Sequence, residues 1–270
     1  MNAASRSVVV TGSSSGIGRA IAARLAADGW SVVVTGRDAA RTAAVAEQLR
    51  ASGADADAVA GDVADRALHP RLLAAAVGLA PLGGWVNCAG ITVRNGLTEL
   101  SEPDTRAMVE GNQLGTLWGC ETAVREFLAT GAPGAIVNMS SVHGSRAYPE
   151  HTVYEMTKAA VEALTRSVAV TYAARGIRAN AVAPGAVRSP ALDASFQQAP
   201  DPVAAERFLA DRSPARRIAE PEEVASVVSF LLSGQASYVS GQTVAIDGGW
   251  LAALADDPDD PEARRAGVAG

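Results

Sequence analysis

Short runs of β-branched residues alternate with helical stretches along nearly the whole chain. Residues 8–11, three valines and a threonine, have the β-branched pattern of a strand buried on both faces. Ile17, Ile21 and Leu25 then share one helical stripe, which Asp28-Gly29 brings to an end. A second strand is predicted over 31–35, followed by an Ala-rich helix through Leu49 with Asp38 placed to cap it. The rhythm continues with a strand over 58–63, a helix after Asp65 and a strand over 85–88. Ser101-Glu102-Pro103-Asp104 has the form of a capping box opening a long helix toward Phe127. Beyond it come a strand over 135–139, a helix over 152–174, a strand over 177–182, a helix after Pro221 and a last strand over 243–246. Strands alternating with helices in this way predict an α/β fold with a parallel sheet and helices on both faces.

A chain of 270 residues, 48% of them apolar, suits one large α/β domain, and no break in composition divides it. The expected domain is 1–250, followed by a tail, 251–270, whose acidic and proline-bearing stretch 256–262 reads as solvated. A net charge of −6 and the lack of a basic run argue against nucleic acid or an anionic membrane as partner. Cys88 and Cys120 have no metal-ligand spacing and read as free thiols in a reducing compartment. With no leader-like start and no apolar run of about 20 residues, the expectation is a soluble cytoplasmic protein.

The first candidate site lies between the first strand and the first helix, at Thr11-Gly12-Ser13-Ser14-Ser15-Gly16-Ile17-Gly18. Glycine serves three needs there: a tight turn, close approach of backbone to a pyrophosphate, and close packing of helix on strand. The helix N-terminus adds unpaired N–H groups and a partial positive charge facing the anion. Glycines punctuate many strand–helix joints, and the position after the first strand of a βαβ unit is what favours a dinucleotide.

The spacing is T-G-x-x-x-G-x-G, and with it the chain resembles the short-chain dehydrogenase/reductase family from about Val8 to Trp250. Further motifs follow in the family's order. Asp62-Val63 stands at the adenine position, and Asn87-Cys88-Ala89-Gly90 matches N-N-A-G with Cys88 in place of the second Asn. Asn112 falls in the long helix, Ser141 ends a strand, and Tyr154-x-x-x-Lys158 opens a helix. Pro184-Gly185 and Asp247-Gly248-Gly249 follow the last two strands. The resemblance implies a single Rossmann-like, doubly wound domain with a mostly seven-stranded parallel sheet, assembled as a homotetramer. It implies that the cofactor is held by Gly12, Ser14, Ser15, Gly16, Ile17, Gly18, Asp62, Val63, Asn87, Ala89, Gly90, Tyr154, Lys158, Pro184, Gly185, Val187 and Ser189.

Cofactor choice turns on the end of the second strand, Val34-Thr35-Gly36-Arg37-Asp38. An acidic residue about 20 positions after the glycine loop suits the ribose of NAD, and a basic one suits the phosphate of NADP. Gly36 stands where NAD-preferring relatives carry Asp, and a guanidinium at Arg37 can bond a phosphate in bidentate fashion. NADP(H) is favoured over NAD(H). The alternative leaves Arg37 solvated and makes Asp38 the ribose ligand, and Ser15 stands where many NADP-preferring members have a second basic residue.

Tyr154 and Lys158, four apart, share one helix face. Tyrosine is a weak acid, with an unperturbed pKa of about 10, and a nearby ammonium favours its phenolate form. Ser141 can bond a substrate oxygen and stabilise charge developing there. The resemblance implies Tyr154 as general acid in reduction, Lys158 as its activator and ribose ligand, and Asn112 as support for a water relay. The implied activity is hydride transfer between NADP(H) and a small-molecule carbonyl or secondary alcohol. His143, with Ser141 and Tyr154, is a candidate for substrate contact, as is His151; two lone histidines do not make a metal site. His69, before a proline, reads as a structural residue on a surface loop.

Substrate choice is expected in 190–217, a proline-rich segment read as a mobile cover over the site. Local stretches resemble glucose 1-dehydrogenases, although Gly144 stands where those carry an acid, and 3-oxoacyl-acyl-carrier-protein reductases match almost as well. The rival from another class is a non-catalytic NADP-binding regulator. Retention of Asn112, Ser141, Tyr154 and Lys158 together speaks against it.

Overall fold

The computed structural model describes residues 6–253 of the chain. Seven parallel strands form one sheet in the order β3-β2-β1-β4-β5-β6-β7. They are β1 (Ser7–Val10), β2 (Ser31–Val34), β3 (Ala56–Ala58), β4 (Leu82–Asn87), β5 (Gly134–Met139), β6 (Ile177–Pro184) and β7 (Thr243–Ile246). Helices α1 (Gly16–Ala27), α2 (Ala39–Ala51) and α3 (Leu68–Leu79) connect the first four strands.

Two cores flank the sheet because successive strand residues point to opposite faces. Val8 and Val10 pack with Ile21, Leu25, Val45 and Val228 on one face. Val9 packs with Leu72, Trp85, Phe127 and Ile177 on the other. The strand order reverses between β1 and β4, and in open sheets of this kind ligands bind at the carboxyl ends of the strands where that happens.

Most predicted elements lie where the pattern placed them, and the differences have physical causes. The third strand was expected over 58–63 and is Ala56–Ala58. Beyond it the chain keeps single bonds to the β2 side, Val59 N–H to Val34 O and Gly61 N–H to Gly36 O, and then turns through Asp62. His69 is no surface-loop residue. It lies fully buried in α3, with Nε2 2.9 Å from Val63 O and its ring stacked on Trp85.

Ser101 Oγ accepts from Asp104 N–H and opens α4 (Glu102–Met108), as the capping pattern predicts. The run on to α5 (Gly115–Thr130) is interrupted by a π-helical turn, Val109–Leu114, that carries Asn112. Such turns insert one residue and often mark functional sites. Helix α6 (Thr152–Tyr172) carries Tyr154 and Lys158. The segment expected to form a mobile cover, 190–217, contains two helices, α7 (Pro190–Gln197) and α8 (Pro202–Ala210), capped by Ser189 and Asp201. Helix α9 (Pro221–Leu232) packs on α1 and precedes β7. The acidic stretch 256–262 lies outside the described residues.

Candidate active site

The glycine loop closes against the end of β4. A Cβ on Gly12 would stand 2.7 Å from Ala89 Cα, and one on Gly18 would run into the carbonyl oxygen of Gly12. Gly12 and Gly16 also take left-handed backbone, at φ 67° and 52°, which side chains disfavour. Thr11 completes the joint, its Oγ1 accepting from Cys88 N–H at 2.9 Å and Ala89 N–H at 3.1 Å. The sequence offered no sign of that clamp beyond the residue type.

At the start of α1, Ser15 makes no side-chain cap bond, and the first turn holds no acid. The first N–H groups of a helix have no partner inside it, so these are open to an anion. This fits a dinucleotide pyrophosphate. Ser14 leans over Gly36, where a Cβ would meet Ser14 Oγ at 2.5 Å and Thr42 Oγ1 at 3.1 Å. Arg37 beside it is exposed and forms no ion pair among the described residues. Asp38 accepts from Arg41 N–H at 3.0 Å as the cap of α2, and that backbone bond, joined by the Arg41 side chain, holds its carboxyl below the usual range.

The remaining cofactor candidates fall into two groups. Gly90 is exposed beside Asn112 and Lys158 Nζ, and Asp62 is exposed at the turn after β3. Gly185 bonds Ile246 O at 3.0 Å, and Ser189 faces Gly16 across the cleft while capping α7. Ile17 is half-buried against the first core, and Val63 packs on the second and abuts Gly115. By contrast, Asn87 turns its side chain inward, accepting from Trp85 Nε1 at 2.9 Å and donating to Asn138 Oδ1 at 2.8 Å. Asn138 passes the chain on to Thr165 Oγ1 at 2.9 Å. Val187 likewise packs its side chain in the core. Both thiols are free, and burial pushes each up to about 12, so neither is a nucleophile at neutral pH.

The four candidate catalytic residues converge at the carboxyl ends of β4 and β5. Lys158 is 4% exposed, and its Nζ donates to Met139 O at 2.8 Å. The same ammonium lies 5.5 Å from the centre of the Tyr154 ring. Asn112 is locked in place by two bonds with the backbone of Ile91, both 2.8 Å, and by Thr157 Oγ1 at 3.2 Å. Ser141 Oγ accepts from His143 N–H at 3.3 Å, a bond that leaves its own proton uncommitted. Ser140 next to it donates to Glu162 Oε1 at 2.8 Å, a buried bond tying the end of β5 to α6.

Around Tyr154 stands a cluster of rings that local pattern gave no means of seeing. His143 stacks on His151 at 5.2 Å, and meets Tyr148 at 5.4 Å, Tyr154 at 6.0 Å and Trp250 at 6.2 Å. Burial and the neighbouring His151 hold His143 below the usual histidine range, against an opposing pull from Glu155. Among the described residues no cluster of metal-ligating side chains forms, and no helix is long and apolar enough to cross a membrane.

Known proteins resemble this chain in sequence and fold. Residues 12–251 match a family model described as enoyl-(acyl carrier protein) reductase. The chain is 38% identical to 3beta-hydroxysteroid dehydrogenase 1 of Eggerthella lenta, over 90% of this chain and 93% of that one. It is 41% identical to cis-4-hydroxycyclohexanecarboxylate dehydrogenase of Sinomonas cyclohexanicum, over 92% and 98%. The crystal structure of actinorhodin polyketide ketoreductase with NADPH superposes with a TM-score of 0.87 at 30% identity, covering 91% of this chain and 97% of that one. The chain belongs to the short-chain dehydrogenase/reductase family and is a nicotinamide-dependent oxidoreductase acting on CH–OH groups.

Proposed function

We propose that the protein interconverts a ketone and a secondary alcohol using NADP(H), with Tyr154 as the acid and base. One observation carries the reading: a buried ammonium, fixed by Met139 O at 2.8 Å, stands 5.5 Å over the ring of a tyrosine whose hydroxyl has no partner among the described residues. When bound, the reduced cofactor supplies a hydride to the carbonyl carbon. Tyr154 gives its phenolic proton to the carbonyl oxygen, and the Lys158 charge stabilises the phenolate left behind. Ser141 donates its uncommitted proton to the same oxygen and stabilises the charge that builds there. Asn112, locked to Ile91 and Thr157, shapes the floor behind Lys158.

Support for NADP(H) comes from Gly36 and Arg37. Ser14 closes the place where an acidic side chain would take the ribose hydroxyls, and Arg37 is exposed beside it. Two narrower specificities fit less well. An acid at position 144 would collide with the Glu162 carboxylate, against a glucose-type site. A site for an acidic carrier protein calls for free surface arginines, whereas Arg125 is paired with Glu121 and Arg178 bonds the end of α9.

The same reading places the protein in the cytoplasm as a homotetramer, with 190–217 as a cover over the site. Exposed Met156, Ala159, Ala163 and Val170 make a small-residue and apolar stripe along α6, suited to close helix pairing. Light scattering should return four chains of 27.5 kDa, and a monomer at micromolar concentration would reject the assembly.

The test of the mechanism is Tyr154→Phe, which keeps the ring and removes the proton. Turnover of a simple ketone at saturating NADPH should fall by roughly 10²–10⁴-fold with cofactor affinity kept. Near-normal turnover would remove Tyr154 from the chemistry.

A further inference from the structure

Glu162 is a buried carboxylate that the chemistry above does not use. It lies on α6 one turn beyond Lys158, on the same helix face, and is 8% exposed. Its Oε1 accepts from Ser140 Oγ at 2.8 Å. Burying a carboxylate costs stability that an apolar side chain in the same place would avoid, so core packing alone does not account for it. What it bonds has neighbours on both sides that belong to the reacting centre. Before Ser140 comes Met139, whose carbonyl oxygen accepts from Lys158 Nζ at 2.8 Å, and after it comes Ser141. Resting on the carbonyl reading above, we propose that Glu162 is a positioning residue. Through Ser140 and Gly144 it fixes the stretch of chain that presents Ser141 and holds Lys158.

The end of β5 is pinned to both of its neighbours at Ser140. The Ser140 N–H donates to Val182 O of β6 at 2.8 Å, while Oγ reaches Glu162 of α6 and lies 3.4 Å from Lys158 O. On the far side of Ser141 the chain makes a tight turn, Val142–Gly144, closed by Gly144 N–H donating to Ser141 O at 2.9 Å. That turn sits against the same carboxylate. A Cβ on Gly144 would collide with Glu162 Oε1 and stand 2.7 Å from Ser140 Oγ. Gly144 is not left-handed, so space and not backbone conformation excludes a side chain there. Glu162 thus meets the chain on both sides of Ser141. The precision has a use, because misplacing a reacting group by about 1 Å can cost on the order of 10²-fold in rate.

Steady-state reduction of a simple ketone by the full-length chain with NADPH tests the role. Glu162→Met keeps the length of the side chain and removes the acceptor. Its kcat and kcat/KM should fall together by about tenfold with KM for NADPH kept, the mark of a loss felt only in the transition state. Glu162→Gln still accepts from Ser140 through its amide oxygen and should stay within about twofold of the wild type. Gly144→Ala pushes on the same carboxylate from the other side. It should cost about tenfold alone and little more when added to Glu162→Met, since two changes at one contact do not add. Thermal stabilisation by NADPH shows that each variant is folded. Gly144→Ala leaves both polar groups in place, so it decides the matter where Glu162→Met does not fold. Normal kcat in either variant, full additivity of the two, or equal losses in Glu162→Gln and Glu162→Met would overturn the role. A lowered melting temperature with kcat unchanged would make Glu162 a stability residue and overturn it as well. Those outcomes beside an inactive Tyr154→Phe reject the positioning role alone, whereas an active Tyr154→Phe rejects the carbonyl reading beneath it.

Discussion

The carboxyl ends of β1 to β4 and the carboxyl ends of β5 to β7 make two halves of one cleft by different means. The first half is built of backbone. Gly12, Gly18 and Ala89 approach so closely that a methyl group at either glycine would collide with main chain, and Thr11 ties the two loops together. The second half is built of side chains. Rings of His143, His151, Tyr148, Tyr154 and Trp250 stand against one another, and α7 and α8 lie over a segment with several prolines. A backbone-built site can take few residue types and holds one ligand shape. A ring-built site can be repacked by substitution.

The sharpest way to break this contrast is to give the first half a side chain. Gly18→Val drives its Cβ into the Gly12 carbonyl, which is main chain and cannot swing away. We expect a loss of about 3 kcal/mol in stability, the upper end for overpacking, and loss of NADPH binding. Thermal melting with and without NADPH measures both. A variant that melts normally and still gains stability from NADPH would show the loop to be as yielding as the ring cluster.

A second, smaller effect separates phosphate from ribose within the first half. Arg37→Ala should weaken NADPH by about 2 kcal/mol, as for a charge-assisted bond, and leave NADH nearly unchanged. Titration of each cofactor by fluorescence decides it. Equal weakening would turn attention to Asp38, which now caps α2.

These two halves also differ in how far the sequence revealed them. Glycine spacing, Tyr154-x-x-x-Lys158 and the strand rhythm are local patterns tied to local needs, and they led to the sheet, its order of elements and the residues around Lys158. What escaped was set by contacts distant in the chain. Asn87 lies 51 residues from Asn138, and their bond turns the Asn87 side chain from the cleft into the interior. The π-helical turn at Asn112 is one inserted residue, which apolar periodicity does not register. His69 looked exposed because a proline follows it. That proline sits in the first turn of α3, where a missing N–H costs nothing. The ring cluster joins residues from the turn after β5, the start of α6 and the turn after β7, and no window of sequence contains it.

The smallest effect is a titration that compares one histidine from each half. His69 and His143 are both held below the usual histidine range, with burial as the leading cause. For His69 the nearby charges are Asp65 and Glu121, which pull the other way, as does its bond with Val63 O. His143 has Glu155 pulling upward but His151 pushing down, and the rings of Tyr148, Tyr154 and Trp250 supply no charge to offset it. A base whose folded pKa lies below its unfolded value binds its proton more readily when unfolded. The stability tied to the neutral form is therefore complete above about pH 6.5, the unfolded value, and is lost as pH falls through the folded pKa. Melting temperature should decline from pH 7.5 toward 5.5. Substituting His151→Gln removes the neighbouring imidazole, whose charge lowers His143, so His143 should titrate at higher pH while His69 stays where it is. Proton NMR of the two imidazole rings reads both in one sample. If His143 does not move, the stacked pair is not electrically coupled, and burial alone would account for both halves alike.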